Sequence, residues 1–171
     1  MAEGERKDMT EFIGASTDAS VKTIVSIADA IWREHYNPLI GEKQVSYMLE
    51  KYQSETAVKE QMAGGYVYYI IEHYGEACGY FAVVACGREL YISKLYVEKR
   101  LRGAGIGRRA AGFIEALAKK GGFSTLSLNV NKGNTSSIEA YKKFGFNIIK
   151  EEKIDIGGGF FMDDYVMGKK V

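Results

Sequence analysis

Apolar positions change their spacing several times along this chain. Val21, Ile24, Val25, Ile27, Ala28, Ile31 and Trp32 fall at the three-and-four spacing of a helix with one buried face. Asp18 is the candidate N-cap of that helix and Asn37-Pro38 its candidate stop. Val45, Met48, Leu49 and Tyr52 repeat the period after Gly41, and a third short helix is predicted from Glu55 to Met62, ended by Gly64-Gly65. Ahead of all three, Thr10 to Ala15 reads as a short strand. From Tyr66 the composition turns to β-branched and aromatic: Tyr66 to Tyr74, Ala77 to Cys86 and Leu90 to Val97 are strands separated by Gly75-Glu76 and Gly87-Arg88. The helical period returns at Ile106, Ala110, Phe113, Ile114, Leu117 and Ala118, and Gly121-Gly122 closes it. Phe123 to Val130 alternates as a strand. A short helix follows, capped by Asn134 and ended by Gly145. Two last strands, Asn147 to Ile156 and Phe160 to Met167, are joined by Gly157-Gly158-Gly159. This order predicts an α+β fold, a twisted mixed but mostly antiparallel sheet with helices on both faces. A single domain is expected over residues 9–168, with the charged residues 1–8 frayed.

Composition changes this picture little. A formal net charge of +1 over 171 residues gives no global attraction to nucleic acid or to an anionic membrane. No run approaches the roughly 18 apolar residues of a membrane span. The start, Met1 to Asp8, lacks the apolar core of a signal peptide, so a cytoplasmic protein is expected. Cys78 and Cys86 lie on one predicted strand, about 26 Å apart at strand rise, which excludes a disulfide and predicts two buried, reduced thiols. No metal-ligand spacing is present.

The chemistry concentrates where a strand turns into a helix through Arg102-Gly103-Ala104-Gly105-Ile106-Gly107. Glycines there leave backbone N–H groups unobstructed at the start of a helix, a site for a phosphate or pyrophosphate. Arg102, Arg108 and Arg109 add positive charge. Three readings of the loop compete. It is a turn that needs glycine only for its shape. Or it is a dinucleotide site, since Gly105 to Ala110 fits G-x-G-x-x-A; that reading expects an acidic residue about twenty positions on, where the chain instead has Asn129-Val130-Asn131. Or Arg102, Gly105 and Gly107 form an Arg-x-x-Gly-x-Gly signature.

The third reading resembles the acyl-CoA pyrophosphate loop of the GNAT superfamily of N-acyltransferases, and the downstream sequence favours it. Asn134, Ile138, Tyr141 and Phe144-Gly145-Phe146 are similar to the second acyl-CoA motif of that family, in the family's order and with a helix and a strand between the two motifs. The resemblance covers roughly residues 10–168 and implies acetyl-CoA as acyl donor, held in a cleft between splayed strands. It implies that the backbone from Arg102 through Gly103, Ala104, Gly105 and Ile106 to Gly107, with Arg108 and Lys143, serves the phosphates. Leu95, Tyr96 and Val97 would pair with the pantetheine amides, and a backbone N–H of Val97 or Leu95 would polarise the thioester carbonyl. Asn134 and Ser137 would contact the pantetheine side. Tyr141 would protonate the leaving thiolate, its ordinary pKa near 10 suiting an alkyl thiol. Each also has a plainer role: Tyr141 packing with Ile138 and Phe144, Asn134 capping its helix, Ser137 simply being small.

A narrower resemblance also exists. Ser93 to Val97, Asn129 to Lys132 and Ile156 to Met167 look like the PaiA-like branch, which is associated with N-acetylation of polyamines such as spermidine and spermine. It implies a small-molecule amine acceptor, taken up between the early helices (Trp32 to Tyr52) and the closing strands near Asp163 and Asp164. As strand neighbours those two carboxylates face opposite ways, so one of them at most enters the site. Candidate acceptor and base residues are Glu34, His35, Tyr96 and Asp164. Lys94, Lys142 and Lys143 are expected on solvated faces, with Lys143 within reach of a cofactor phosphate, and His73 is expected to be structural. The alternatives are a protein N-acetyltransferase acting on lysine or an N-terminal amine, and an acyl-CoA-binding regulatory module without turnover. The apolar C-terminal strands leave a homodimer open.

Overall fold

The computed structural model describes residues 9–171, so the expectation for residues 1–8 lies outside it. Seven strands form one sheet: β1 (Thr10–Ala15), β2 (Val67–His73), β3 (Glu76–Cys86), β4 (Glu89–Val97), β5 (Thr125–Asn131), β6 (Asn147–Gly157) and β7 (Phe160–Lys170). Their order is β1-β2-β3-β4-β5-β7-β6. All neighbours are antiparallel except β4 and β5, which run parallel because helix α4 (Ile106–Lys120) crosses between them. This is the mixed, mostly antiparallel sheet the sequence predicts.

The two faces carry separate cores. On one, Ile106, Ala110, Ile114 and Ala118 of α4 pack with Phe81, Ile92, Leu126 and Leu128, and α5 (Thr135–Lys143) adds Ile138. On the other, α1 (Asp18–Ile40), α2 (Glu42–Gln53) and α3 (Glu55–Ala63) bury Ile24, Trp32, Val45 and Val58 against Tyr68, Tyr80 and Ala82. Among the described residues no helix is long and apolar enough to cross a membrane.

Three local expectations are corrected. The cap of α1 is Thr17, not Asp18: its hydroxyl oxygen accepts from the Ser20 N–H at 3.1 Å, while Ser20 Oγ accepts from the Thr17 N–H at 2.9 Å. Asn37-Pro38 does not stop the helix. Proline there removes one intrahelical bond in the last turn, and the helix runs to Ile40, where the Gly41 N–H bonds the Asn37 carbonyl at 3.0 Å. Cys86 is exposed, because β3 runs past the core as it reaches its turn, whereas Cys78 is buried.

The feature that shapes the site is in β4. Its pairing with β3 slips between Ala82 and Val83: Ala82 faces Lys94 and Val83 faces Ile92, so Ser93 is an unpaired extra residue. The parallel pairing with β5 ends at the same place, with Ile92 opposite Leu128. Beyond it β4 stays with β3 as far as Val97, while β5 stays with β7 as far as Asn131. The sheet therefore opens between Ser93–Val97 and Asn129–Asn131. Gly79 lets the two strands close on the other side, since a Cβ there would collide with the Tyr96 carbonyl.

Candidate active site

Two cavities meet at the opening. The first, about 520 Å³, lies between the free half of β4, the glycine loop, the start of α4 and α5. Gly103 and Gly105 hold φ of +82° and +84°, the left-handed region that favours glycine. No side chain caps α4, so its first-turn N–H groups are left for a ligand. The edge of β4 that leaves β5 adds unpaired main-chain groups alongside. This donor set fits an anionic pyrophosphate followed by an extended arm carrying amides.

The structure distributes the expected cofactor residues unevenly. Leu95, Tyr96, Val97, Arg102, Gly103, Gly105, Gly107, Arg108, Ser137, Tyr141 and Lys143 line the first cavity. Ala104 and Ile106 do not. Ile106 is 1% exposed and its side chain anchors the helix start in the core, so it offers only its amide. The Ala104 N–H points back to the Leu101 carbonyl at 3.4 Å. Asn134 is buried and caps α5, accepting from the Ser137 N–H at 3.4 Å. The Arg102 guanidinium donates to the Val97 carbonyl at 3.0 Å and to Glu34 at 3.2 Å, so its charge is already matched. Arg108 lies over the Phe144 ring.

Tyr141 is half-buried on the cavity wall, its ring packed edge-on to Phe146 at 5.7 Å between centroids. Burial pushes its hydroxyl above the ordinary phenol value, so the near-10 value expected from the sequence does not hold in this cleft. His35 also lines this cavity. Burial first, then the Arg102 charge, lower its pKa from 6.5, which leaves it neutral at pH 7.

The second cavity, about 470 Å³, opens on the other side of β4 and shares Tyr96 with the first. Its walls come from α1, α2, α3, β4, β5 and the β6–β7 hairpin. Helix α2 is tied to that hairpin: Tyr47 and Lys51 donate to the Ile156 carbonyl at 2.7 and 2.5 Å, and Gln44 to the Phe161 carbonyl at 2.6 Å. Tyr36 and Tyr96 stand at the shared wall with hydroxyls 3.2 Å apart. Burial raises both, Tyr96 well above the usual phenol range.

Of the two adjacent carboxylates, Asp164 faces this cavity and Asp163 faces out, paired with Lys132 at 3.0 Å. Asp164 is 4% exposed and lies 3.5 Å from Asn129 Nδ2, which also donates to Glu152 at 2.9 Å. Burial, reinforced by the Glu152 charge and opposed by the Asn129 hydrogen bond, raises Asp164 to about 6. Tyr91 donates to Asn129 Oδ1 at 3.1 Å and is raised to about 12 by burial and then by the Asp164 charge.

Other substrate and base expectations need correcting. Glu34 lines neither cavity; it lies on the surface against Arg102 and Lys99, so it is not free to hold an amine. His35 lines the first cavity and not the second. Half-buried Tyr96, whose hydroxyl is held well above the usual phenol range, keeps its proton and is no base. Lys94, expected on a solvated face, is 8% exposed and lines the second cavity. Straight alternation would put Lys94 on the face of Leu90 and Ile92. The extra Ser93 reverses the facing, so Lys94 and Tyr96 join Tyr91 on the side of the second cavity. Tyr36, Tyr91 and Asn129 were likewise not singled out; carried on three different elements, they share no local signal.

The profile of the acetyltransferase (GNAT) family matches residues 24–146. No curated protein matches the sequence. The fold is similar to the PaiA N-acetyltransferase of Thermoplasma acidophilum, solved in complex with coenzyme A, with 18% identity, TM-score 0.78, and 95% of this chain and 99% of that chain covered. It is similar also to a GCN5-related N-acetyltransferase structure from Rhodopseudomonas palustris (17% identity, TM-score 0.79, 95% and 96% covered). A third similar structure is the ribosomal-protein-S18-alanine N-acetyltransferase of Escherichia coli (17% identity, TM-score 0.68, 95% and 94% covered).

Proposed function

The chain belongs to the GNAT family of acetyltransferases and is an acetyl-CoA-dependent N-acetyltransferase, and we propose that its acceptor is a small molecule whose amine is received at Asp164. One observation carries this reading: a buried carboxylate faces the second cavity, one tyrosine wall away from the glycine-loop cleft. Bound acetyl-CoA supplies an acyl carbonyl activated as a thioester. In this reading the first turn of α4, Arg108 and Lys143 hold its phosphates, and the main chain of Leu95–Val97 holds its arm and polarises the carbonyl. Asp164, ionised at neutral pH, draws the ammonium into the cavity. An alkylammonium has a pKa of about 10 and must lose a proton before it attacks. In this reading that proton passes to solvent, and Tyr141 Oη, protonated at any working pH, donates to the departing sulfur.

Within this class the reading names polyamines such as spermidine and spermine. Asp164 and Glu152 share Asn129 and supply negative charge, the closing strands resemble the PaiA-like branch, and one solved structure of the same fold is a PaiA N-acetyltransferase. The tie between α2 and the β6–β7 hairpin favours a small molecule over a peptide, because it bridges two walls of the cavity. The test is thiol release from acetyl-CoA with spermidine, spermine and a lysine peptide at two salt concentrations. Small amines are expected to win, with a KM that rises with salt. A peptide preferred tenfold over every small amine would overturn the acceptor reading and leave acetyl transfer standing.

A further inference from the structure

The acceptor cavity holds a charge that a polyamine does not explain. Lys94 is more than nine-tenths buried, yet no carboxylate pairs with it among the described residues. Its Nζ donates to Gln61 Oε1 and to Ser93 Oγ, both at 2.9 Å, and stands over the Tyr66 and Tyr68 rings at 5.5 and 5.4 Å. An ammonium carries three donors, so one is left for the cavity that Lys94 lines. The surrounding acceptors are neutral and already committed. Gln61 Oε1 also accepts from Tyr68, which belongs to a buried chain running through Gln53 and Tyr80 to Trp32. This network holds the ammonium in place without cancelling its charge. Burial lowers its pKa to about 8, which leaves it cationic at neutral pH. A buried charge without a counter-ion costs stability, as functional residues often do.

The position along the cavity matters as much as the charge. Asp164 lies on the side of Tyr36, whose hydroxyl it influences, and Tyr36 bonds Tyr96 on the wall shared with the cofactor cleft. The Lys94 ammonium turns the other way, towards Gln61 of α3. Tyr91, bonded to Asn129, lines the same cavity. The cavity is bipolar, with a carboxylate on the side of Tyr36 and an ammonium on the side of Gln61.

We propose that Lys94 is an anion-binding point in the acceptor cavity, and that the preferred acceptors are amines whose far end carries a carboxylate. The proposal rests on the small-molecule amine reading above and sets aminocarboxylates in place of the polyamines named there. The amine stays at Asp164, and a polyamine's distal ammonium, which Lys94 repels, is replaced by an acid that Lys94 pairs with. The ligand supplies the counter-ion that the fold lacks.

Three acceptors of equal length test this: hexylamine, hexane-1,6-diamine and 6-aminohexanoate, with four-carbon counterparts to allow for reach. With the wild-type enzyme, kcat/KM for an aminocarboxylate should exceed that for the matched diamine by about 10- to 100-fold, the worth of a charge-assisted hydrogen bond. Lys94→Met should erase the preference and improve the diamine, with the KM for acetyl-CoA unchanged. Equal or better turnover of the diamine by the wild type would overturn the proposal while keeping the amine reading. So would a preference for the acid that survives in Lys94→Met. If none of these amines is acetylated although acetyl-CoA binds, the acceptor reading falls and takes the proposal with it. The wild-type comparison decides even if Lys94→Met misfolds, and Lys94→Gln, which keeps polar contacts to Gln61 and Ser93, gives a second variant.

Discussion

The two cavities on either side of β4 are built from different materials. The cofactor cleft is largely main chain: glycines at positive φ, the uncapped amides of α4 and a strand edge freed by the opening of the sheet. The second cavity, proposed above for the acceptor, is side chain throughout, with Asp164, Lys94 and a set of tyrosines delivered by helices and strands far apart in sequence. A backbone site binds whatever presents the right phosphates and amides, and tolerates change in most side chains around it. A side-chain site can be re-specified by one or two substitutions. The difference predicts that the acyl donor is fixed by the fold, whereas the acceptor is set by few residues.

The sharpest way to break this contrast is at the loop. Gly105→Val places a β-branched residue at φ +84°, where nothing crowds a Cβ but the backbone conformation itself is strained. The distorted amides should weaken acetyl-CoA binding on the order of 10²-fold in calorimetry, with a fall in Tm of only a few degrees. An unchanged affinity would mean that the loop does not hold the phosphates. Tyr141→Phe tests the side chain expected to act on the donor side. It should lower kcat by about 10²-fold and leave acetyl-CoA affinity nearly unchanged. An unchanged rate with chemistry limiting would leave the ring with packing alone.

Smaller effects sharpen the acceptor side. Asp164 has a folded pKa of about 6 against an unfolded value near 3.9, so the folded state holds the extra proton between them. Stability therefore falls as pH rises from about 4 to 6, and the full cost, about 3 kcal/mol, applies above 6. Asp164→Asn should raise Tm at pH 7 by a few degrees, and thermal melts should show the gain shrinking as pH falls towards 4. A Tm lowered at pH 7 would contradict the burial argument. Glu34→Gln should do least. Its ion pair with Arg102 is well exposed and contributes at most about 1 kcal/mol. The KM for the amine should move less than twofold; a larger rise would return Glu34 to the acceptor site.

The same contrast explains what could be read from the sequence. The glycine loop and the Asn134–Tyr141 segment are contiguous, so their spacing displays the chemistry directly, and the alternation of strands and helices gave the order of elements. The bulge at Ser93 has no composition of its own, and it decides where Lys94 points. Asp164 is named from the sequence as a candidate and Asp163 is not, but period two shows only that the two differ; the register of β7 shows which one is inside. Thr17, and the continuation past Pro38, turn on one or two hydrogen bonds at helix ends, where local propensity is nearly balanced.

The central claim, that Asp164 receives the amine in a cavity separate from the donor cleft, is tested most directly by the steady-state kinetics of Asp164→Asn with both substrates varied. The account predicts that kcat/KM for a small amine falls about tenfold or more at saturating acetyl-CoA, while the KM for acetyl-CoA stays within twofold of wild type. An amine kcat/KM that does not change would contradict it.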